Sequence, residues 1–227
     1  MGKKLHNGHR KRVKARYLTE GLDSFEDHEV LEMLLFYCIP MKDTNELAHK
    51  MMDEFGSLAG LFEADAKDIC KRCNISENAA ILVSLIPSLA RRYFKGKWGD
   101  KPILNSSSKA GEYAVSLFAG RTYEVFYVIC LDSQSRVNNA ALVHKGTINE
   151  APVYPRLIIE TALRHQANSV ILAHNHPGGT TRPSGADMEV TKRIIAALEA
   201  ISIKVVDHII VAGREYVSFA ERGLIGN

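Results

Sequence analysis

Two histidines separated by one residue, followed eight positions later by Ser184-Gly185-Ala186-Asp187, carry the most chemistry in this 227-residue chain. The apolar run SVILA (169–173) leads straight into His174-Asn175-His176-Pro177-Gly178-Gly179. In an extended chain residues i and i+2 point to the same side, so both imidazoles face one point while Asn175 faces away. Pro177 ends strand pairing, and the two glycines allow a tight turn without a Cβ penalty. Ser184 opens the next helix, and Ser-x-x-Asp has the form of a capping box that places Asp187 on the first turn. A strand end and the start of the following helix can lie side by side in an α/β fold, which brings the carboxylate to the imidazoles. Two His and one Asp with no fourth protein ligand describe a metal site with a position open for water. Zn²⁺ suits these donors and would lower the pKa of a bound water from 15.7 to about 7. The alternative leaves His174 and His176 as polar loop residues and Asp187 as a plain helix cap; the coincidence of every part favours the metal. Two His and a carboxylate also build non-haem iron sites, but in those His-x-Asp/Glu comes first and a second His much later, so the order here argues for one zinc per chain.

Other groups of this kind carry less. Cys70-x-x-Cys73 could suggest half a zinc ribbon or a redox pair, but no second pair follows and no strand precedes it, so it reads as a helix end with incidental thiols. Cys38 and Cys130 sit in apolar runs as small core residues. His208 follows Asp207 inside a predicted strand and reads as a satisfied core histidine before a partner of a ligand. His28, His49, His144 and His165 stand alone on predicted elements as surface or boundary residues.

The elements that must position the site come from periodicity. From 108 onward helix and strand alternate: helix 108–119, strand 124–131, strand 139–144, helix 155–166, strand 169–173, helix 184–200, and strands 203–211 and 216–219. This argues for an α/β sandwich with a mixed sheet. Residues 17–98 carry no strand pattern. Helices are expected at 27–38, ended by Pro40; from Asp43 or Thr44 to Gly56; as short turns at 57–64 and 65–72; and from Ser76 to about 94, bent at Pro87. The stretch 95–108, with Gly96, Gly99, Pro102 and three serines, is the expected boundary. Three parts follow: a basic disordered tail (1–16), a small helical bundle (17–98), and a metal-binding domain (104–227).

Composition excludes several classes. Apolar residues make up 46% and charged residues 24%, which excludes a disordered or collagen-like chain. The longest nearly apolar run, 79–90, has twelve positions interrupted by Ser84, Pro87 and Ser88. A bilayer span needs about 20, so this run is expected to be a buried helix and no membrane association is expected. The basic start has no hydrophobic stretch after it, so it is no secretory signal and a cytoplasmic location is expected. The net charge of +3 is uneven: residues 1–16 carry seven Lys or Arg and no acid, 17–100 carry nine bases against fifteen acids, and 101–227 thirteen against eleven. Only the tail offers phosphate an electrostatic partner, a weak nucleic-acid contact at most.

His174-x-His176, seven residues, then Ser184-x-x-Asp187 resembles the JAMM (MPN+) metalloprotease motif. The run AHNHPGG, the later DHIIV (207–211) and the helical front domain resemble RadC-type proteins over nearly the whole chain from about residue 10. The resemblance implies a JAB/MPN-like, cytidine-deaminase-like α-β sandwich behind a small all-α domain. It implies zinc held by His174, His176 and Asp187, hydrolysis of a peptide or isopeptide bond in a peptide or protein substrate, and Ser184 stabilising the oxyanion. The same hydroxyl reads as a helix cap, and the two roles are compatible. A JAMM hydrolase also needs a glutamate that takes a proton from the attacking water and passes it to the leaving amine. Glu124, opening a strand after a helix, fits the family's Glu-aromatic-apolar pattern; an exposed charge at a strand start is the equal alternative. Glu150 and Glu160 are weaker candidates, Glu160 being expected on a solvent-facing helix side. The front domain resembles a helix-hairpin-helix module, yet its hairpin is Arg72-Cys73-Asn74-Ile75-Ser76, without the Gly-x-Gly that presents N–H groups to DNA, and the domain is acidic. Leu157 stands where the family has an acid, and Gly178 where a serine is more usual. The competing function is that of a DNA-repair-associated, nucleic-acid-binding protein whose metal domain is secondary or non-catalytic.

Overall fold

A computed structural model describes residues 3–40, 42–146 and 153–225, with side chains from residue 8 onward. The chain divides into two compact units, Met1–Leu89 and Ala90–Asn227.

The first unit holds α1 (Lys3–Glu20), α2 (Asp27–Leu35), α3 (Asn45–Phe55), α4 (Leu58–Glu63), α5 (Ala66–Cys73) and the start of α6 (Glu77–Lys97). Its core gathers Leu31, Leu35, Met51, Leu61, Ile69 and Val83, all fully buried. Such side chains contribute about 1.5–3 kcal/mol each on leaving water. Several boundaries follow from local chemistry. The Ser57 hydroxyl and the Asp65 carboxylate accept from the N–H groups of Gly60 and Lys67, capping α4 and α5. Gly56 ends α3 in the left-handed region at φ 76°. At the hairpin Asn74 adopts φ 48°, taking the conformation for which a glycine is the usual choice.

The structure corrects three expectations. The segment 1–16 was expected to be a disordered tail, but residues 3–20 form α1. Side-chain pairing holds it: both terminal nitrogens of Arg10 donate to carbonyls of the chain leaving α2, Nη2 to Ile39 and Lys42 at 2.7 Å each and Nη1 to Pro40 at 2.9 Å. These carbonyls lie past the last residue of α2, and the forked guanidinium gathers all three with one cation. Arg16 forks onto Glu29 at 3.0 and 2.7 Å, and Val13 is buried. The run 79–90 was expected to be a buried helix. Only one side of it is buried, through Ala79, Ala80 and Val83, while Ile81, Leu85 and Leu89 are 41–50% exposed. The expected break at Gly96 is also absent, since α6 continues to Lys97. Among the described residues no helix is long and apolar enough to cross a membrane.

The second unit continues with α7 (Ser107–Phe118), β1 (Val125–Leu131), β2 (Val137–Lys145), α8 (Pro155–Arg164), β3 (Ser169–Asn175), α9 (Gly185–Glu199), β4 (Lys204–Ala212) and β5 (Glu215–Ser218). One mixed sheet has the order β2-β1-β3-β4-β5. Only β3 and β4 are parallel, and α9 makes the crossover that parallel strands require. α7 covers one face, over Ile129, Ile171, Ala173, Ile209 and Val211. α8 and α9 cover the other, over Phe126, Val128, Val170, Leu172 and Val205. β3 alternates between the two cores, so its last residues send His174 toward α9 and Asn175 toward α7.

Candidate metal centre

β3 and the first turn of α9 bring His174, His176 and Asp187 together, and among the described residues they are the one group of three or more His, Cys, Asp or Glu able to hold a metal ion. His174 is fully buried and Asp187 is 2% exposed, while His176 sits at the rim with 17% of its side chain exposed. Pairing of β3 with β4 extends one residue past the strand, His176 N–H donating to the Val211 carbonyl at 2.8 Å. The turn then closes with Gly179 N–H on the His176 carbonyl and uses the left-handed region only at Gly179, φ 81°. The capping box is complete. Ser184 Oγ accepts from Asp187 N–H at 3.1 Å, and Asp187 Oδ2 accepts from Ser184 N–H at 2.6 Å. This exchange fixes the carboxylate, leaving its oxygens 3.1 Å from His174 Nε2 and 3.5 Å from His176 Nε2.

The two Nε2 atoms stand 2.9 Å apart. His176 Nδ1 donates to the Thr180 carbonyl at 2.8 Å, so a neutral His176 turns a bare Nε2 toward the other two groups. Lone pairs this close repel unless a proton or a cation sits among them. Asp187 therefore raises the pKa of His176, mainly through their hydrogen bond. Burial alone would raise the pKa of Asp187, but the two imidazoles in contact with it outweigh burial and hold the carboxyl well below the usual range. A divalent cation satisfies the same three acceptors. Around tetrahedral zinc, ligand atoms about 2.0–2.1 Å from the ion lie about 3.3 Å apart. The two Nε2 atoms at 2.9 Å and Asp187 Oδ1 at 3.1 Å from His174 Nε2 lie a few tenths of an ångström inside that value, while the other carboxylate oxygen, Oδ2, stands 3.5 Å from His176 Nε2. The donor set fits a zinc-like ion.

Glu124 immediately precedes β1, whose register places Phe126 opposite His174. Two residues back along that antiparallel pair, Glu124 comes alongside His176, and its charge helps raise the His176 pKa. Its backbone is held on every side: Gly146 N–H donates to its carbonyl at 2.9 Å, and the Asn175 amide accepts from Val125 N–H at 2.9 Å and donates to the Tyr123 carbonyl at 3.1 Å. Ser184 is exposed beside the site, its oxygen engaged as the cap of α9. Glu160 is drawn elsewhere, pairing with Arg156 at 2.7 Å on α8. Glu150 lies outside the described residues.

Sequence reasoning undervalued His208. Its Nε2 lies 2.8 Å from His174 Nδ1 and its Nδ1 lies 2.6 Å from Thr191 Oγ1, both contacts fully buried. Burial, with His174 nearby, pushes its pKa well below the usual histidine value. Thr191 was missed altogether, and Asn175 was read only as facing away from the imidazoles, not as the clamp on the backbone beside Glu124. The short signal DH offered His208 as a partner of a ligand, but nothing local marked Thr191. The four cysteines are free thiols, Cys70 Sγ donating to the Ile75 carbonyl at the end of α5.

A family model described as the RadC-like JAB domain matches residues 104–224. UPF0758 proteins are similar over most of the chain. That of Vibrio atlanticus (strain LGP32) is 36% identical over 210 residues, covering 92% of this chain and 94% of the relative. That of Pseudoalteromonas atlantica (strain T6c / ATCC BAA-1087) is 36% identical over 214 residues, covering 94% and 96%. That of Pseudoalteromonas translucida (strain TAC 125) is 37% identical, with the same coverage. The name these relatives share states no activity. With a His-His-Asp cluster at the end of a buried strand and a matching domain model over more than half its length, the chain belongs to the RadC-type proteins, the UPF0758 family.

Proposed function

We propose that this protein is a zinc-dependent hydrolase of peptide or isopeptide bonds, acting in the cytoplasm, with its chemistry confined to residues 104–227. The observation that carries the reading is the convergence of three buried or half-buried acceptors, His174 Nε2, His176 Nε2 and the Asp187 carboxylate, near the Glu124 carboxylate just ahead of the neighbouring strand β1. Zn²⁺ held there supplies Lewis acidity, lowering the pKa of a water from 15.7 to about 7. The Glu124 carboxylate takes the proton released by the attacking water and returns it to the leaving amine. Asn175 and Gly146 clamp the backbone on both sides of Glu124, which supports this role by fixing the point from which its side chain starts beside His176. The Ser184 hydroxyl uses an oxygen lone pair for the cap and keeps its proton to donate to the developing oxyanion.

The competing nucleic-acid reading draws on the basic N-terminal segment. Two of its cations, Arg10 and Arg16, are engaged within the helical unit, which lowers the charge free for phosphate. Steep, salt-dependent retardation of duplex DNA that vanishes on deleting residues 1–16 would favour it.

The test combines metal content with isotope labelling. Protein purified without added metal should hold about one zinc per chain, falling to about a tenth of that or less in Asp187→Ala, since three ligands leave none to spare. A peptide library incubated with zinc-loaded protein in H₂¹⁸O should gain C-termini labelled with ¹⁸O, absent with Glu124→Gln. Full zinc in Asp187→Ala rejects the ligand assignment. A zinc-loaded wild type that creates no labelled ends in peptide or isopeptide substrates rejects the hydrolase.

A further inference from the structure

We infer that Thr191 and His208 are positioning residues that fix His174 in the tautomer able to ligate a metal through Nε2. The inference rests on the reading of His174, His176 and Asp187 as a metal centre and adds what makes the most deeply buried ligand ready for the ion.

The order of protons follows from one unambiguous end. Thr191 Oγ1 lies 2.5 Å from the Asp187 carbonyl oxygen. A carbonyl has no proton, so the hydroxyl must donate there. Its single proton is then in use, and at 2.6 Å from His208 Nδ1 the hydroxyl oxygen can only accept. His208 therefore carries its proton on Nδ1. His208 is completely buried, its ring 5.5 Å from Phe126 and 4.7 Å from Phe219, which favours the neutral imidazole with a single N–H. Its Nε2 is then bare and accepts, at 2.8 Å, from His174 Nδ1. With the proton of His174 on Nδ1, its Nε2 presents a lone pair toward His176 and Asp187. The relay starts from the backbone carbonyl of a ligand residue and ends on the side chain of another, so the first turn of α9 orders both.

Without the Thr191 hydroxyl the direction reverses. A bare Nδ1 suits an apolar neighbour, so the His208 proton moves to Nε2 and is donated to His174 Nδ1. The His174 proton then moves to Nε2, where it binds Asp187 and closes the position an ion would take.

Two measurements test this. Long-range ¹H–¹⁵N correlation spectra of the metal-free, ¹⁵N-labelled full chain should show His174 and His208 protonated on Nδ1, and His174 protonated on Nε2 in Thr191→Val. The Zn²⁺ dissociation constant, from competition with a chromophoric chelator, should rise about 10–100-fold in Thr191→Val and return to the wild-type value in Thr191→Ser. A purely structural role for Thr191 would move neither the tautomer nor its rescue by serine. A wild-type spectrum with the His174 proton on Nε2 overturns the inference, and so does unchanged Zn²⁺ affinity in a folded Thr191→Val. The spectrum is read without metal, so the relay stands or falls on it even if the wild type binds no zinc, a result that would overturn the metal centre itself.

Discussion

Asn175 lies between His174 and His176 and points away from them, yet its amide ties together the backbone on both sides of Glu124 across fifty residues of sequence. Both of its bonds satisfy backbone groups at the start of β1, one of them fully buried, so truncation strands polar atoms and does not simply delete a surface contact. Asn175→Ala should cost about 2–3 kcal/mol in urea unfolding, the usual penalty for leaving such groups unpaired. Its zinc content should stay at one per chain, because the two neighbouring imidazoles are held by other partners. A loss of zinc equal to that in Asp187→Ala would mean that Asn175 shapes the metal site directly. Asp207 plays the comparable part beside His208. Its carboxylate accepts from Ser107, Ser218, the His208 N–H and the Ala220 N–H, tying the start of α7 to β4 and β5.

At the scale of elements, the packing of the second unit depends on how closely α7 can lie against the sheet. A Cβ placed on Gly111 would meet the Tyr216 ring on β5 at 2.2 Å, so the helix approaches the strand at a point only glycine allows. Gly111→Ala should therefore destabilise by about 1–3 kcal/mol through overpacking, despite the better helix propensity of alanine. Adding Tyr216→Leu should recover part of the loss, and strict additivity in the double-mutant cycle would show that the two do not meet. In the helical unit, α1 is held to α2 by Arg16 and Glu29. The Arg16 hydrogen bond, followed by the Glu26 N–H, lowers the Glu29 pKa from 4.5 to about 2. A depressed carboxylate stabilises fully above its unfolded value and loses that contribution as pH falls from about 4.5 through about 2. The pair is part-exposed, so the effect should be at most about 1 kcal/mol. Urea midpoints between pH 5 and pH 2 should fall more steeply for the wild type than for Glu29→Gln, and parallel curves would show that the pair contributes nothing.

At the scale of the whole molecule, the chain places its acidic excess in one unit and its candidate chemistry in the other. His174, His176, Asp187, Thr191, His208 and Glu124 all belong to Ala90–Asn227. Zinc at a hundred times its dissociation constant should stabilise that unit by about 2.7 kcal/mol. Hydrogen exchange with and without Zn²⁺ should show added protection in β3, β4 and α9 and none in α2 to α5. Equal protection in both units would mean that the metal acts on the chain as a whole. The family match, beginning at residue 104, falls within the same unit.

The sequence by itself determined the triad and most elements around it, because those features are local. Alternation on one strand aims His174 and His176 to one side, and the Ser184–Asp187 capping box is complete within four residues. Tertiary structure decided what depends on distant pairing. Strict alternation from Val205 would place Ile209 and Val211 in the same core as Val205. A register shift between Val170 and Ile171, opposite Val205 and Asp207, changes the phase, and both pack under α7 instead. That one-residue slip turns His208 toward His174, and no periodicity in the sequence announces it. Glu124 reaches His176 only through the pairing of β1 with β3, and α1 is ordered by carbonyls about thirty residues further along the chain. Local chemistry can be read from neighbours in sequence, whereas strand register and long-range hydrogen bonds exist only once the chain has closed on itself.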